Sequence, residues 1–135
     1  TYAAMLDDQL VLAAFSSDKT AVTASARCVA TAMLDLRDRL LELEGRWNIN
    51  LDFSFAIDIG TVMSMMVATE PPTRHLWGGA IGVAKVLSTS TARRTIAASE
   101  TAYELLADRF LFRPRGTYFL PETGDMRTFV LVDRL

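Results

Sequence analysis

Apolar and polar positions change period several times along the 135 residues, and each change predicts an element. The opening "TYAAMLDDQLVLAAFS" sets two apolar runs either side of Asp7-Asp8-Gln9, the mark of a strand, a tight acidic turn and a second strand. Ser17 and Asp18 then supply N-cap chemistry. Val22, Ala26, Val29, Met33, Leu36, Leu40 and Leu43 follow in steps of three and four as far as Gly45, which predicts a long amphipathic helix with one buried stripe. From Leu51 the period drops to two. Leu51, Phe53, Phe55, Ile57 and Ile59 fall on one face of a half-buried strand, with Asp52, Ser54, Ala56 and Asp58 on the other. Gly60-Thr61 is read as the turn of a second hairpin, whose return strand is the methionine-rich "VMSMMVAT" and whose sequel "TEPPTR" is a loop by its prolines.

Residues 75–87, "HLWGGAIGVAKVL", pass from a double-glycine turn into an apolar helical rhythm. "RTIAAS" predicts a short strand. Thr101 with Glu104 forms a candidate capping box for a helix through about Asp108. "FLFRPRGTYFL" and "MRTFVLV" predict two strands about a turn at Pro121 to Asp125. Helices interleaved with antiparallel pairs argue an α+β sandwich, an antiparallel-rich sheet with helices packed on one face, in an order resembling the ferredoxin-like split β-α-β arrangement.

Bulk composition narrows the functional classes. The length suits one domain over residues 1–135. Sixteen acidic against fourteen basic side chains, without a run of like charge, argue against nucleic acid or an anionic membrane as partner. No apolar stretch reaches the roughly 18 residues of a membrane span. One cysteine, Cys28, excludes an internal disulfide and points to a reducing, cytoplasmic setting. The chain opens at Thr1 inside a predicted strand without an initiator methionine, which reads as a piece of something longer.

Several residues invite chemistry. Two glycines before a helix N-terminus suit a phosphate-handling turn. An Asp7-Asp8 pair in a turn caps and solvates it, or binds an oxygen-seeking cation. His75 before a tryptophan reads as a packing or hydrogen-bonding residue, Lys85 as solvated, and Met63, Met65 and Met66 as pliable core or interface filler. Cys28 beside the helical stripe reads as inert and buried. Arg93, Arg94, Arg113 and Arg115 would form an anion patch if the strands brought them together.

The C-terminal third, "RGTYFLPETGDMRTFVL", resembles the closing hairpin of class III adenylate and guanylate cyclase domains. Arg115, Gly116, Gly124, Met126, Thr128, Phe129 and Leu131 fall on that pattern without a gap. Upstream, "FAIDIGTV", "LWGGAIGVA" and "MLDDQLVLAAF" resemble further segments of the family in the right order. The resemblance implies a cyclase-type fold that lacks the family's first strand, with its metal aspartate, and the helices after it. It also implies the family reaction, ATP or GTP to cyclic nucleotide plus pyrophosphate, run with Mg²⁺ or Mn²⁺ at a head-to-tail dimer interface.

Carried over by position, Asp8 falls on the family's second metal aspartate, with Asp7 in place of a glycine. The substrate-reading positions are changed. Ala4 stands at a base-reading lysine and His75 at its partner aspartate; Gly82 stands at the ribose-positioning asparagine and Val86 at the transition-state arginine. Pro121, Glu122 and Thr123 occupy the turn that carries triphosphate-binding lysines. Losing one such donor costs roughly 2.7 to 4 kcal/mol of transition-state stabilisation. The resemblance therefore implies a degenerate, non-catalytic dimerisation or regulatory module in a signalling protein, paired with itself or with another cyclase-like domain. The alternatives are a metal-donating half of a heterodimeric cyclase, and a sensor that binds ATP or GTP.

Overall fold

The computed structural model describes residues 2–6, 9–16, 18–121 and 124–135, with the side chains of residues 2–6 and 19 left aside. Among the described residues the order is β1 (Tyr2–Leu6), β2 (Gln9–Ala13), α1 (Lys19–Trp47), β3 (Phe55–Ile57), β4 (Met63–Val67), β5 (Thr73–Trp77), α2 (Gly79–Ser90), β6 (Ile96–Ser99), α3 (Glu100–Leu106), β7 (Phe110–Leu120) and β8 (Gly124–Arg134). Four strands form the main sheet in the order β3-β6-β8-β7; β1-β2 and β4-β5 are separate two-stranded ladders. β3 and β6 are parallel, joined by a crossover that contains β4, β5 and α2, and the remaining pairs are antiparallel. This is the α+β, antiparallel-rich architecture anticipated from the sequence, except that its helices pack on both faces of the sheet and not on one, because β6 buries both its sides.

Strand alternation assigns the two faces. Ile57, Ile96, Ala98, Phe129 and Leu131 point to one side, where Ala26, Ala30, Met33 and Leu34 of α1 and Ala102 and Leu106 of α3 close the core. Tyr103 stacks on Phe129 with ring centroids 3.8 Å apart and meets Phe112 edge-on at 5.3 Å. α1 and α3 thus share one face. α2 lies on the other, where the Ser54 hydroxyl donates to the Ser88 carbonyl (2.7 Å) and Ala97 and Leu87 are fully buried.

The helix ends explain where the elements start and stop. The Asp18 carboxylate accepts from the Ala21 N–H at 2.8 Å and opens α1. The helix runs through Gly45 and stops at Asn48, whose left-handed backbone (φ 50°) lets its N–H reach the Glu44 carbonyl. Asparagine takes the role expected of the glycine, since its short side chain also tolerates that conformation. The buried Glu44 carboxylate accepts from the Leu51 N–H (2.9 Å) and Arg94 (2.8 Å), tying the helix end to the approach to β3. The Leu51 amide and then Arg94 hold its carboxyl below the usual range against the opposing effect of burial. That contribution is present at neutral pH and lost as pH falls through the lowered pKa.

Four further expectations are corrected. The strand read over 51–59 contracts to Phe55–Ile57: the Phe53 carbonyl still accepts from the Arg94 N–H at 2.8 Å, but the positive φ of Arg94 (65°) takes its backbone out of the extended ladder. The second hairpin does not turn at Gly60-Thr61; the methionine strand pairs with β5 across the proline loop, Met63 opposite Trp77 and Met65 opposite His75. α3 is capped by Ser99, whose hydroxyl oxygen accepts from the Ala102 N–H at 3.1 Å, two residues before the predicted box. Cys28 is exposed, outside the stripe it adjoins.

Leu34 is fully buried at the centre of the core. Leu34→Ala should cost roughly 2 to 5 kcal/mol through lost contacts and a residual cavity, read by urea denaturation at constant m-value.

Candidate functional site

The sequence-derived stripe of α1 does not wholly enter the core. Val22, Val29, Leu36 and Leu40 are half-buried and, with β2, β3 and α2, line an open cleft of about 1270 Å³. β2 pairs only with β1, and β3 only with β6, so among the described residues each strand keeps one unpaired edge. Asp58 lines this cleft at the end of β3.

The double glycine is fixed by backbone packing. Gly78, at φ 132°, caps α2, and a Cβ there would stand 2.4 Å from the Thr61 carbonyl oxygen. That same carbonyl accepts the Ala80 N–H at 3.2 Å, so one of the amides that a helix start would offer to a phosphate is already used. Gly79 has open space around its Cβ direction and carries no such constraint.

Gly82 and Val86, four residues apart, share an exposed face of α2. Val86 is 43% exposed, and a Cβ at Gly82 would meet nothing within 4 Å. This face presents no hydrogen-bond donor from either position. Lys85 is exposed at the cleft rim, and His75 is exposed on β5 opposite Met65. β1, which contains Ala4 opposite Val11, touches β5. Asp7, Asp8, Glu122 and Thr123 lie outside the described residues.

One polar pair was not singled out from the sequence. Ser99 is fully buried; its hydroxyl donates to the Asp58 carboxylate at 2.5 Å while its oxygen receives the Ala102 N–H. Burial pushes the Asp58 carboxyl up, with the Ser99 hydroxyl and Ile59 amide opposing. The available clue was a carboxylate on the polar face of β3 two residues before Gly60. As a cation site the described residues fall short: no three histidine, cysteine, aspartate or glutamate side chains among them converge, and Asp58 stands alone with a hydroxyl.

Residues 8–133 match the family model for the adenylate and guanylate cyclase catalytic domain. The chain belongs to this family. Its fold is similar to the adenylyl cyclase CyaB from P. aeruginosa (TM-score 0.65, 16% identity, 84% of this chain and 59% of that one). It is also similar to the guanylate cyclase domain of RhGC from Catenaria anguillulae, solved in complex with GTP (TM-score 0.50, 19% identity, 55% of this chain and 41% of that one). The chain therefore spans about two fifths to three fifths of the length of these structures. No described helix is long and apolar enough to cross a membrane.

Opposite outcomes are expected at two glycines. Gly82→Ala should stabilise by about 0.5 to 1 kcal/mol through helix propensity. Gly78→Ala should destabilise, since its Cβ meets backbone; paired denaturation curves check both signs. Asp58→Asn keeps an acceptor for Ser99 and removes a buried charge. The raised pKa means that Asp58 favours the fold in acid and loses that contribution as pH rises through its folded value. The variant should gain stability over the parent near neutral pH, and the gain should shrink to nothing below the carboxylate range, followed by thermal unfolding against pH.

Proposed function

We propose that this chain is a cyclase-family domain that has lost catalysis and serves as a dimerisation or regulatory module in a signalling protein. The observation that carries the reading is the outward face of α2, where Gly82 and Val86, set by the sequence resemblance at the family's asparagine and arginine positions, are exposed and offer neither a ribose contact nor a cation. Developing phosphoryl charge needs preorganised donors, and an aliphatic side chain offers none. A symmetric pair would set two copies of the same deficient half against each other, so no homodimer site would contain the arginine.

An interaction role is favoured by the separate β4-β5 ladder. Met63, Met65 and Trp77 share one of its faces, each between 42 and 53% exposed. Exposed apolar groups gathered on one face suit a partner surface, and methionine adapts to an irregular one.

A metal-donating half of a heterodimer is the second reading. It is favoured by Asp8 on the family's metal position and by the cleft between the unpaired edges of β2 and β3, into which Asp58 faces. This reading needs a further aspartate supplied beside Asp8, and Mg²⁺ or Mn²⁺ held by them would activate the 3′-hydroxyl and neutralise phosphate charge.

Cyclic nucleotide formation by the purified chain with Mn²⁺ and ATP or GTP separates the readings. The expected result is no product above the uncatalysed background, and appreciable turnover overturns the primary reading. The assay is repeated with the chain extended at its N-terminus to carry that further aspartate, mixed with a cyclase domain that retains the asparagine and arginine but lacks its metal aspartates. Product from the mixture, absent from either component alone, would establish the metal-donating reading; a silent mixture counts against it.

A further inference from the structure

The four arginines singled out from the sequence divide into two groups. Arg93 pairs with Asp52 at 3.0 Å and Arg94 with Glu44 at 2.8 Å, so their charges are matched. Arg113 and Arg115 instead reach a second cavity, of about 350 Å³, between the C-terminus of α2 and β7 on the α2 face of the sheet. Ser90, Thr91, Thr95 and Tyr118 line it with them, and among the described residues no carboxylate does.

A β-bulge sets this geometry. Pro114 pairs with Phe129 and Gly116 with Thr128, leaving Arg115 as the extra residue of β7. Bulges re-aim side chains, and the positive φ of Gly116 (133°) permits this one. Arg115 is thereby turned back on α2. Its Nη2 donates to the Ser90 carbonyl and, at 3.3 Å, to the Ser90 hydroxyl, which offsets the negative end of the helix. The guanidinium lies over the Tyr118 ring, 4.3 Å from its centroid. The other terminal nitrogen, Nη1, is shielded from solvent and has no hydrogen-bond partner.

A buried, charged donor without an acceptor is costly, and an acceptor entering the cavity would relieve that cost after a small turn of the guanidinium. The threonines do not compete for the role. The Thr95 hydroxyl donates to the Ala92 carbonyl at 2.6 Å, so the Thr91 hydroxyl, 3.0 Å away, donates to Thr95. Arg113 forms no ion pair among the described residues and supplies the second positive charge.

From this geometry we propose that the cavity is a binding site for a phosphate-class dianion, with Arg113 and Arg115 as its cationic donors and the Tyr118 ring as the surface that orients Arg115. Two guanidinium groups match the charge of a phosphate or small phosphomonoester, and their fork geometry suits its oxygens. The site involves neither Gly82 nor Val86, and it stands whether or not the chain turns over nucleotide.

The test is a titration of the ¹⁵N-labelled chain with inorganic phosphate at fixed ionic strength, following the arginine Nε–Hε signals, with chloride as control. Saturable shifts of Arg113 and Arg115 are expected. Arg113→Gln, at an exposed position, should raise the apparent Kd about tenfold, the value of one charge-assisted hydrogen bond. Arg93→Gln should leave it unchanged. Phenyl phosphate forms the second arm: tighter binding than phosphate identifies an esterified ligand, and weaker binding identifies the free ion. Shifts that chloride reproduces, or an affinity indifferent to Arg113→Gln, overturn the proposal.

Discussion

The structure depends on how closely two helical layers approach the central strand β6. All four of its residues, Ile96, Ala97, Ala98 and Ser99, are buried. α1 and α3 press on one side through Ile96 and Ala98, and α2 crosses the other. Small side chains at three of the four positions keep the separation short enough for Leu34, Leu106 and Leu87 to be fully enclosed. Close packing of this kind makes dispersion contacts numerous and intolerant of added volume. Ser99 extends the same constraint into polar chemistry, since it ends the strand, starts α3 and ties down Asp58 at once.

Much of the fold was legible because long periodic segments carry their own instructions. The α1 stripe, the alternation of the closing hairpin and the cap at Asp18 each follow from local side-chain chemistry. The failures have tertiary causes. The strand read over 51–59 has the right alternation, yet only Phe55–Ile57 keep ladder register, because Arg94, whose N–H bonds the Phe53 carbonyl, leaves the extended conformation. The Gly60-Thr61 segment looked like a hairpin turn, whereas its carbonyl is engaged by Ala80 of a helix that the local sequence does not reveal as a neighbour. Asn48 replaced Gly45 as the end of α1 because both residues suit the left-handed conformation, and the final choice was made by the bonds to Glu44.

The candidate site divides in the same way. Gly82 and Val86 could be placed on one helical face by spacing alone, and the structure adds that this face is exposed. The tie between Asp58 and Ser99 could not be anticipated, because 41 residues separate the two side chains and only the parallel pairing of β3 with β6 brings them together. Arg113 and Arg115 likewise gained meaning from a bulge, a feature set by pairing across strands. Membership of the cyclase family describes the scaffold, while the chemistry rests on individual side chains grafted onto it.

The shortness of β3 has a consequence for solubility. A sheet edge with free N–H and C=O groups is a template on which other extended chains can add. This edge is three residues long, and acidic groups stand beyond each end, with Asp52 exposed and Asp58 half-buried. Recruiting a foreign strand along it would bring that strand past Asp58 and the Asp52–Arg93 ion pair and reward it with few ladder bonds. The irregularity that shortened the strand therefore also guards the molecule against indiscriminate fibre growth.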